Sequence, residues 1–383
     1  MQSQLSIPFS KSPITVNSEK YIKQALEQKT SGDGEFTKKC SSWLEKQFSI
    51  TKAMLTTSCS HALDMAAYLC DIKEGDEVIM SSFTFSSTAN AFVQHGAKIV
   101  FVDIRPDTMN IDETLIEAAI SDKTFAIVLM HYAGVGCEVN TIIDIAKKHN
   151  LLIIEDAAHA IMSRYNGKAL GTFGDFGCFS FHDTKNYSMG EGGALLIRDP
   201  KHIRNAEIIR EKGTNRSRFY RGEIDKYSWV DWGSSYLPSE INAAYLWSQL
   251  EIAEEINKAR IAIWNNYYEM LATLADKGYL ELPSIPKNCI HNAHIFYFKV
   301  TSSEVQANLL EFLKNRSIGA VFHYVPLHSS EAGQKFGVFR GDDKYTTKES
   351  SRLIRLPLYY GLTKSEIERI TENIYNFFIK AKV

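Results

Sequence analysis

Seven short apolar runs, at 53–57, 77–80, 98–103, 126–130, 151–155, 176–181 and 194–197, constrain this chain more than any other feature. Each of the first four is followed by a stretch with helical spacing, at 60–71, 86–95, 111–120 and 140–149. Apolar residues at consecutive positions of a strand imply burial on both faces, which is the habit of parallel sheets. A helix between successive strands carries the chain back to the end where the next parallel strand starts. The pattern therefore predicts an α/β fold, with a mostly parallel seven-stranded sheet in a large domain over residues 1–250. That domain also takes in an N-terminal arm and a helix at 18–28. A second helix follows, with Phe36, Cys40, Trp43, Leu44 and Phe48 on one face.

After 194–197 the pattern changes. Residues 201–237 are charged and aromatic, with Arg216, Arg218, Tyr220, Arg221, Trp229 and Trp232 among them, and they read as an interface excursion. Ser239 then caps a long helix expected to run to about residue 271. Strands at 294–300 and 320–324, a helix at 304–315 and a last helix at 364–380 predict a smaller C-terminal α+β domain over 251–383.

Composition excludes several classes. With 383 residues, 44% apolar and 23% charged, the chain reads as a soluble globular protein. A net charge of −2 offers no footprint for a nucleic acid. No apolar run reaches the ~20 residues of a membrane helix, and the first residues show no signal-peptide pattern, so a cytoplasmic protein is expected. The six cysteines, at 40, 59, 70, 137, 178 and 289, form no C-x-x-C motif. His131, His149, His159 and His182 lack zinc spacing, so no metal is expected.

The chemistry-bearing residues cluster at strand ends. The run 151–154 delivers Glu155-Asp156-Ala157-Ala158-His159, and a strand that ends in an acid is a common site geometry in parallel sheets. Further on stand Ser180-Phe181-His182-Asp183-Thr184-Lys185-Asn186 and Gly190-Glu191-Gly192-Gly193. An acid and a lysine so disposed suit pyridoxal phosphate, with the acid at the pyridinium nitrogen and the lysine as the Schiff-base partner. Lys185 alone reads as an ordinary surface lysine, so the surrounding pattern has to decide. Thr57-Ser58-Cys59-Ser60 joins a strand to a helix, where N–H groups and the helix dipole attract phosphate; Ser58 also reads as a plain N-cap. Ser82-Phe83-Thr84-Phe85 follows another strand, and Phe85 suits either a core or a stack on a flat ring.

In this order, these five motifs resemble the DegT-type nucleotide-sugar aminotransferases, a fold-type I pyridoxal phosphate family, over nearly the whole chain. Pro106-Asp107-Thr108-Met109-Asn110, Arg210-Glu211-Lys212-Gly213-Thr214 and Tyr345-Thr346-Thr347-Lys348-Glu349 are similar to a subgroup that aminates C4 of dTDP-4-dehydro-6-deoxy-D-glucose. The resemblance implies that Lys185 is the cofactor lysine and Asp156 the partner of the ring nitrogen. It implies that Phe85 stacks on the ring and that Ser58, Cys59 and Ser180 hold the phosphate. His159 stands where the family usually has glutamine, beside the phenolic oxygen. Ser235 stands where an asparagine usually reaches the phosphate of the neighbouring subunit of a homodimer. Tyr324 and His328 fall in a segment near the sugar site. L-glutamate is the implied donor. Sister enzymes acting at C3, or with opposite C4 stereochemistry, remain open, as does a non-catalytic sensor, which retention of Lys185 and Asp156 disfavours.

Overall fold

The computed structural model describes residues 6–380. The expected strands form: β1 (Lys52–Thr56), β2 (Glu77–Ser81), β3 (Lys98–Val102), β4 (Thr124–Met130), β5 (Leu152–Asp156), β6 (Phe176–Ser180) and β7 (Gly193–Ile197). The helices that precede and connect them are α1 (Ser18–Gln28), α2 (Glu35–Phe48), α3 (Cys59–Leu69), α4 (Ser86–Val93), α5 (Glu113–Ala119), α6 (Val139–His149) and α7 (Ile203–Arg210). Beyond them lie α8 (Glu240–Leu250), α9 (Ala253–Asp276), β8 (Leu280–Glu281), β9 (Phe296–Val300), α10 (Ser303–Lys314), β10 (Gly337–Phe339), β11 (Leu353–Leu356) and α11 (Lys364–Lys380). Among the described residues no helix is long and apolar enough to cross a membrane.

The main sheet runs in the order β1-β7-β6-β5-β4-β2-β3-β10. It carries an eighth strand beyond the seven expected, because the three-residue β10 pairs in parallel with β3. Only β7 runs against the others, paired antiparallel with both β1 and β6. Successive side chains on each strand serve opposite layers. Ile127 and Leu129 join the cluster under α2, α6 and α8, whereas Ala126 and Val128 join the cluster with α3, α4 and α7. A third cluster gathers the C-terminal elements around a small sheet of order β8-β9-β11. Ile7 belongs to it as well, bridged in parallel to Ile318.

Two expectations about the C-terminal part change. The long helix predicted from Ser239 starts there, with the serine side chain capping Asn242 N–H, but it breaks at Glu251-Ile252 into α8 and α9. No proline or glycine marks the break. Gln249 bonds Ser188, Glu251 accepts from Asn17 and Tyr21, and the Ala253 carbonyl accepts from Tyr187, so tertiary contacts pin the chain on either side. The segment 320–324 is not a strand: it makes a single bridge, Val321 with Arg355, because His323 and Tyr324 turn toward a cavity.

Candidate active site

The connection β2→β3 builds the sheet outward in one direction, and β4→β5→β6 builds it in the other. Ligands in open α/β sheets bind where this sense reverses, at the carboxyl ends of the strands. A cavity of ≈ 390 Å³ lies there, with Phe85 after β2, Met130 ending β4, Asp156 ending β5 and Ser180 ending β6 on its wall. Ser58, Cys59 and Ser60 open into the same space from the start of α3, and Lys185 from the loop after β6.

The end formed by α3 suits an anion. Ser58 is the N-cap and its hydroxyl accepts from His61 N–H at 3.1 Å. Other N–H groups of a first helical turn have no helical partner and face outward. Ser60 donates to Ser87 at 2.7 Å, which ties the turn to α4. Burial first, then Asp156, push the Cys59 thiol well up, so it stays neutral and does not repel an anion. Gly193 permits the close approach of β7 to this turn. A Cβ on it would lie 2.5 Å from both the Cys59 nitrogen and the Ser58 carbonyl carbon.

Asp156 is 4% exposed. Its Oδ2 accepts from Thr88 Oγ1 at 2.6 Å and its Oδ1 from Ala158 N–H at 3.1 Å. Burial nevertheless raises its pKa, against the opposing pull of those two bonds and of Lys185. A carboxylate that is uncomfortable alone gains most from a cationic partner. Among the described residues Lys185 makes no ion pair; it lines the cavity, and burial followed by the charge of Arg355 lowers its pKa from 10.5 to about 8. His159 is 2% exposed, and its Nδ1 finds no partner in the fold. Burial first, then Lys185, hold its pKa well below the ordinary value, so the ring is neutral. A buried polar atom without a partner is what a bound group would satisfy.

These observations fit pyridoxal phosphate. An anion cradle stands at one end of the cavity, an acid ready for a cation on its floor, an unpaired amine in its wall and an orphaned imidazole nitrogen beside it. Phe85, 59% exposed, presents a ring without a core of its own; the Tyr324 ring is 6.4 Å away. Of the residues expected from sequence, Ser58, Cys59, Phe85, Asp156, His159, Ser180, Lys185 and Tyr324 are brought together. Ser235 is not: it is exposed, bridged to Glu211 on the 201–237 excursion. His328 does not line the cavity either. Ser82 at 2.7 Å and Asp343 at 3.1 Å hold its ring outside.

Phe9, His294, His323 and Arg355 also line the cavity, and the sequence reading missed them. His294 packs against the His159 ring at 4.2 Å and bonds Asn186 at 2.8 Å. One signal was available for Arg355: it interrupts Leu353-Ile354-Arg355-Leu356, an otherwise apolar strand, and a charge there asks for a reason.

The chain is similar to several known proteins. The DegT/DnrJ/EryC1/StrS aminotransferase family model matches residues 13–375. An uncharacterized protein of Methanocaldococcus jannaschii is 35% identical over 322 residues, covering 82% of this chain and 83% of that one. The spore coat polysaccharide biosynthesis protein SpsC of Bacillus subtilis is 30% identical over 330 residues, 84% of each chain. The sugar aminotransferase Spr1654 of Streptococcus pneumoniae, described as putative and solved in its PLP form, shares the fold, with a TM-score of 0.88 at 24% identity over 99% of this chain and 100% of that one.

Proposed function

This chain belongs to the DegT/DnrJ/EryC1/StrS aminotransferase family, whose cofactor is pyridoxal phosphate, and on that premise we propose a nucleotide-sugar aminotransferase that moves the amine of L-glutamate to C4 of dTDP-4-dehydro-6-deoxy-D-glucose. The products are dTDP-4-amino-4,6-dideoxy-D-galactose and 2-oxoglutarate, made in the cytoplasm for a surface polysaccharide. The observation that carries the reading is the Lys185 amine, without an ion-pair partner among the described residues, sharing one cavity with Asp156.

Pyridoxal phosphate, when bound, supplies an aldehyde that takes up an amine and a ring that holds the electrons left when a proton departs. The chain supplies the rest. With its pKa near 8, Lys185 Nζ carries no proton in a useful fraction of molecules near neutrality, so it serves as nucleophile and base. It would take the proton from the amine-bearing carbon and return it to the carbon on the far side of the amine nitrogen. Asp156 keeps the ring nitrogen charged, and Thr88 keeps that carboxylate in place. His159 offers its free Nδ1 to the phenolic oxygen. Ser58, Cys59 and Ser180 hold the phosphate, and Phe85 covers a face of the ring.

Sugar identity rests on the subgroup resemblance of three segments. Two of them share a partner away from the cavity: Lys299 donates to the Pro106 carbonyl and to the Glu349 carboxylate. Similarity to a polysaccharide biosynthesis protein supports the pathway class. A homodimer with shared sites is supported by the 201–237 excursion, which carries Ser235 and on which Tyr220 is 63% and Trp229 80% exposed. The test is to incubate the protein with dTDP-4-dehydro-6-deoxyglucose and glutamate and assign the product by NMR. An axial amine at C4 is expected. Amination of a 3-keto sugar instead, or an equatorial C4 amine, would assign a sister activity.

A further inference from the structure

A second cavity, of ≈ 190 Å³, shares no residue with the first. Its walls come from the end of α2, the hairpin 164–169, the first turns of α9 and Ile290. One wall is set by strand register. Arg164 stands opposite Ala169 on one side and Ile290 on the other, and residues directly opposite in neighbouring strands put their side chains on one face. Another wall is set by helix spacing. Glu254 and Asn257 lie three residues apart on α9 and so share a face. Ile290 is 60% exposed, so solvent reaches the cavity.

The polar groups here lack the partners that such groups find elsewhere in the fold. Ser163 is 0% exposed and its Oγ has no partner; the buried Oδ1 of Asn257 has none either. Gln47 spends an N–H on the Met162 sulfur at 3.5 Å, a weak acceptor. Arg164 gives one bond, from Nη1 to the Gly167 carbonyl at 3.0 Å. Among the described residues Glu254 accepts no hydrogen bond, and neither it nor Arg164 enters an ion pair. More exposed charges do pair, as Arg218 does with Glu223. Opposite charges that share a cavity without meeting are held apart by the elements that carry them, here the strand register and α9.

Those charges decide what fits. A lone anion would gain from Arg164 and be opposed by Glu254; a lone cation meets the reverse. A metal ion has too few ligands, since among the described residues no three His, Cys, Asp or Glu side chains group to hold one. A nucleotide is too large, because ≈ 190 Å³ is the space of about six waters. A small zwitterion satisfies both charges at once. The planar guanidinium takes a carboxylate in two parallel bonds. An ammonium group brings three N–H donors, which suit Glu254 and the free oxygen of Asn257. Phe48, Met162 and Ala169 leave an apolar patch for a short side chain.

We propose that this cavity binds a small α-amino acid, its carboxylate on Arg164, its ammonium on Glu254 and Asn257, and its side chain toward Phe48 and Ala169. The assignment does not depend on the sugar or the amino donor named above. The site is separate from the cofactor cavity, yet both draw on one segment. Ser163 ends the turn that follows Asp156 and carries His159, and Asn292 ties that turn through the carbonyls of His159 and Ile161. An occupant of this cavity thus bears on the turn that presents His159.

The test uses protein loaded with pyridoxamine phosphate, which has no aldehyde for an amine to engage. L-alanine is the probe, followed by saturation-transfer NMR and calorimetry, and saturable binding is expected. Propionate and ethylamine each keep one of its two charges and should bind at least about tenfold more weakly, the scale of a lost charge-assisted pair. Arg164→Gln and Glu254→Gln should each weaken L-alanine by a similar factor. Neither should lower the melting temperature, because neither side chain has an ion-pair partner to lose. Asn257→Leu, which fills the space, should abolish binding; if it does not accumulate, the two charge variants decide. No saturable binding to wild type overturns the proposal. So does propionate or ethylamine binding as tightly as L-alanine, which would leave a site for a single charge. Full L-alanine affinity in the variants overturns it too, by placing the amino acid in the cofactor cavity.

Discussion

Lys185 is the residue at which burial and a like charge act on one proton. Its pKa drops from 10.5 in the unfolded chain to about 8 in the fold. Between those values the unfolded state holds a proton that the folded state has released, so stability rises with pH across that window. In urea unfolding of the cofactor-free protein, wild type should gain on Lys185→Met between pH 8 and 10.5, by at most about 3 kcal/mol. A difference that stays flat with pH would place the amine in open solvent. Lys185, Asp156 and Ser58 were legible in the sequence because each sits in a short contiguous motif at a strand end. Arg355 and His323 were not, because they reach the cavity from C-terminal segments with no motif, and only the fold joins them to Asp156. His328 shows the converse: a promising sequence position whose ring the structure ties to Ser82 and Asp343 instead.

At the level of elements, the sheet was legible because strands buried on both faces have to be apolar throughout. The strand β10 was not, since three residues carry no periodicity, and the break between α8 and α9 was not, since side chains from distant segments impose it. The contact between β7 and the start of α3 yields a prediction of its own. In Gly193→Ala the new methyl meets backbone at 2.5 Å, and neither Ser58 nor Cys59 can turn aside. The turn must shift from the sheet, at a cost of about 1–3 kcal/mol. The variant should melt lower and lose pyridoxal phosphate on dialysis, followed by its visible absorption. Full cofactor retention would show that the turn does not hold the phosphate.

The whole molecule brings in a second copy. If Ser235 serves the neighbour's phosphate site, Lys185→Ala and Ser235→Asp are each defective for a different reason and complement each other. Refolded together, half of the dimers formed at random hold one chain of each kind, and one of their two sites is intact. About a quarter of wild-type activity should return. No recovery, or a fully active monomer in light scattering, would assign each site to one chain. The placement of Ile7 has a consequence for how the protein is made. This early residue fills a core otherwise built from residues 263–378, and Phe9 beside it reaches Arg355. A ribosome delivers residue 7 long before its partners exist. The early segment has to wait, exposed, through most of synthesis, and the wall of the cavity that Phe9 and Arg355 form closes last. Nascent chains stalled before β11 should therefore already hold a protease-resistant sheet while the segment around Ile7 and Phe9 is still cut.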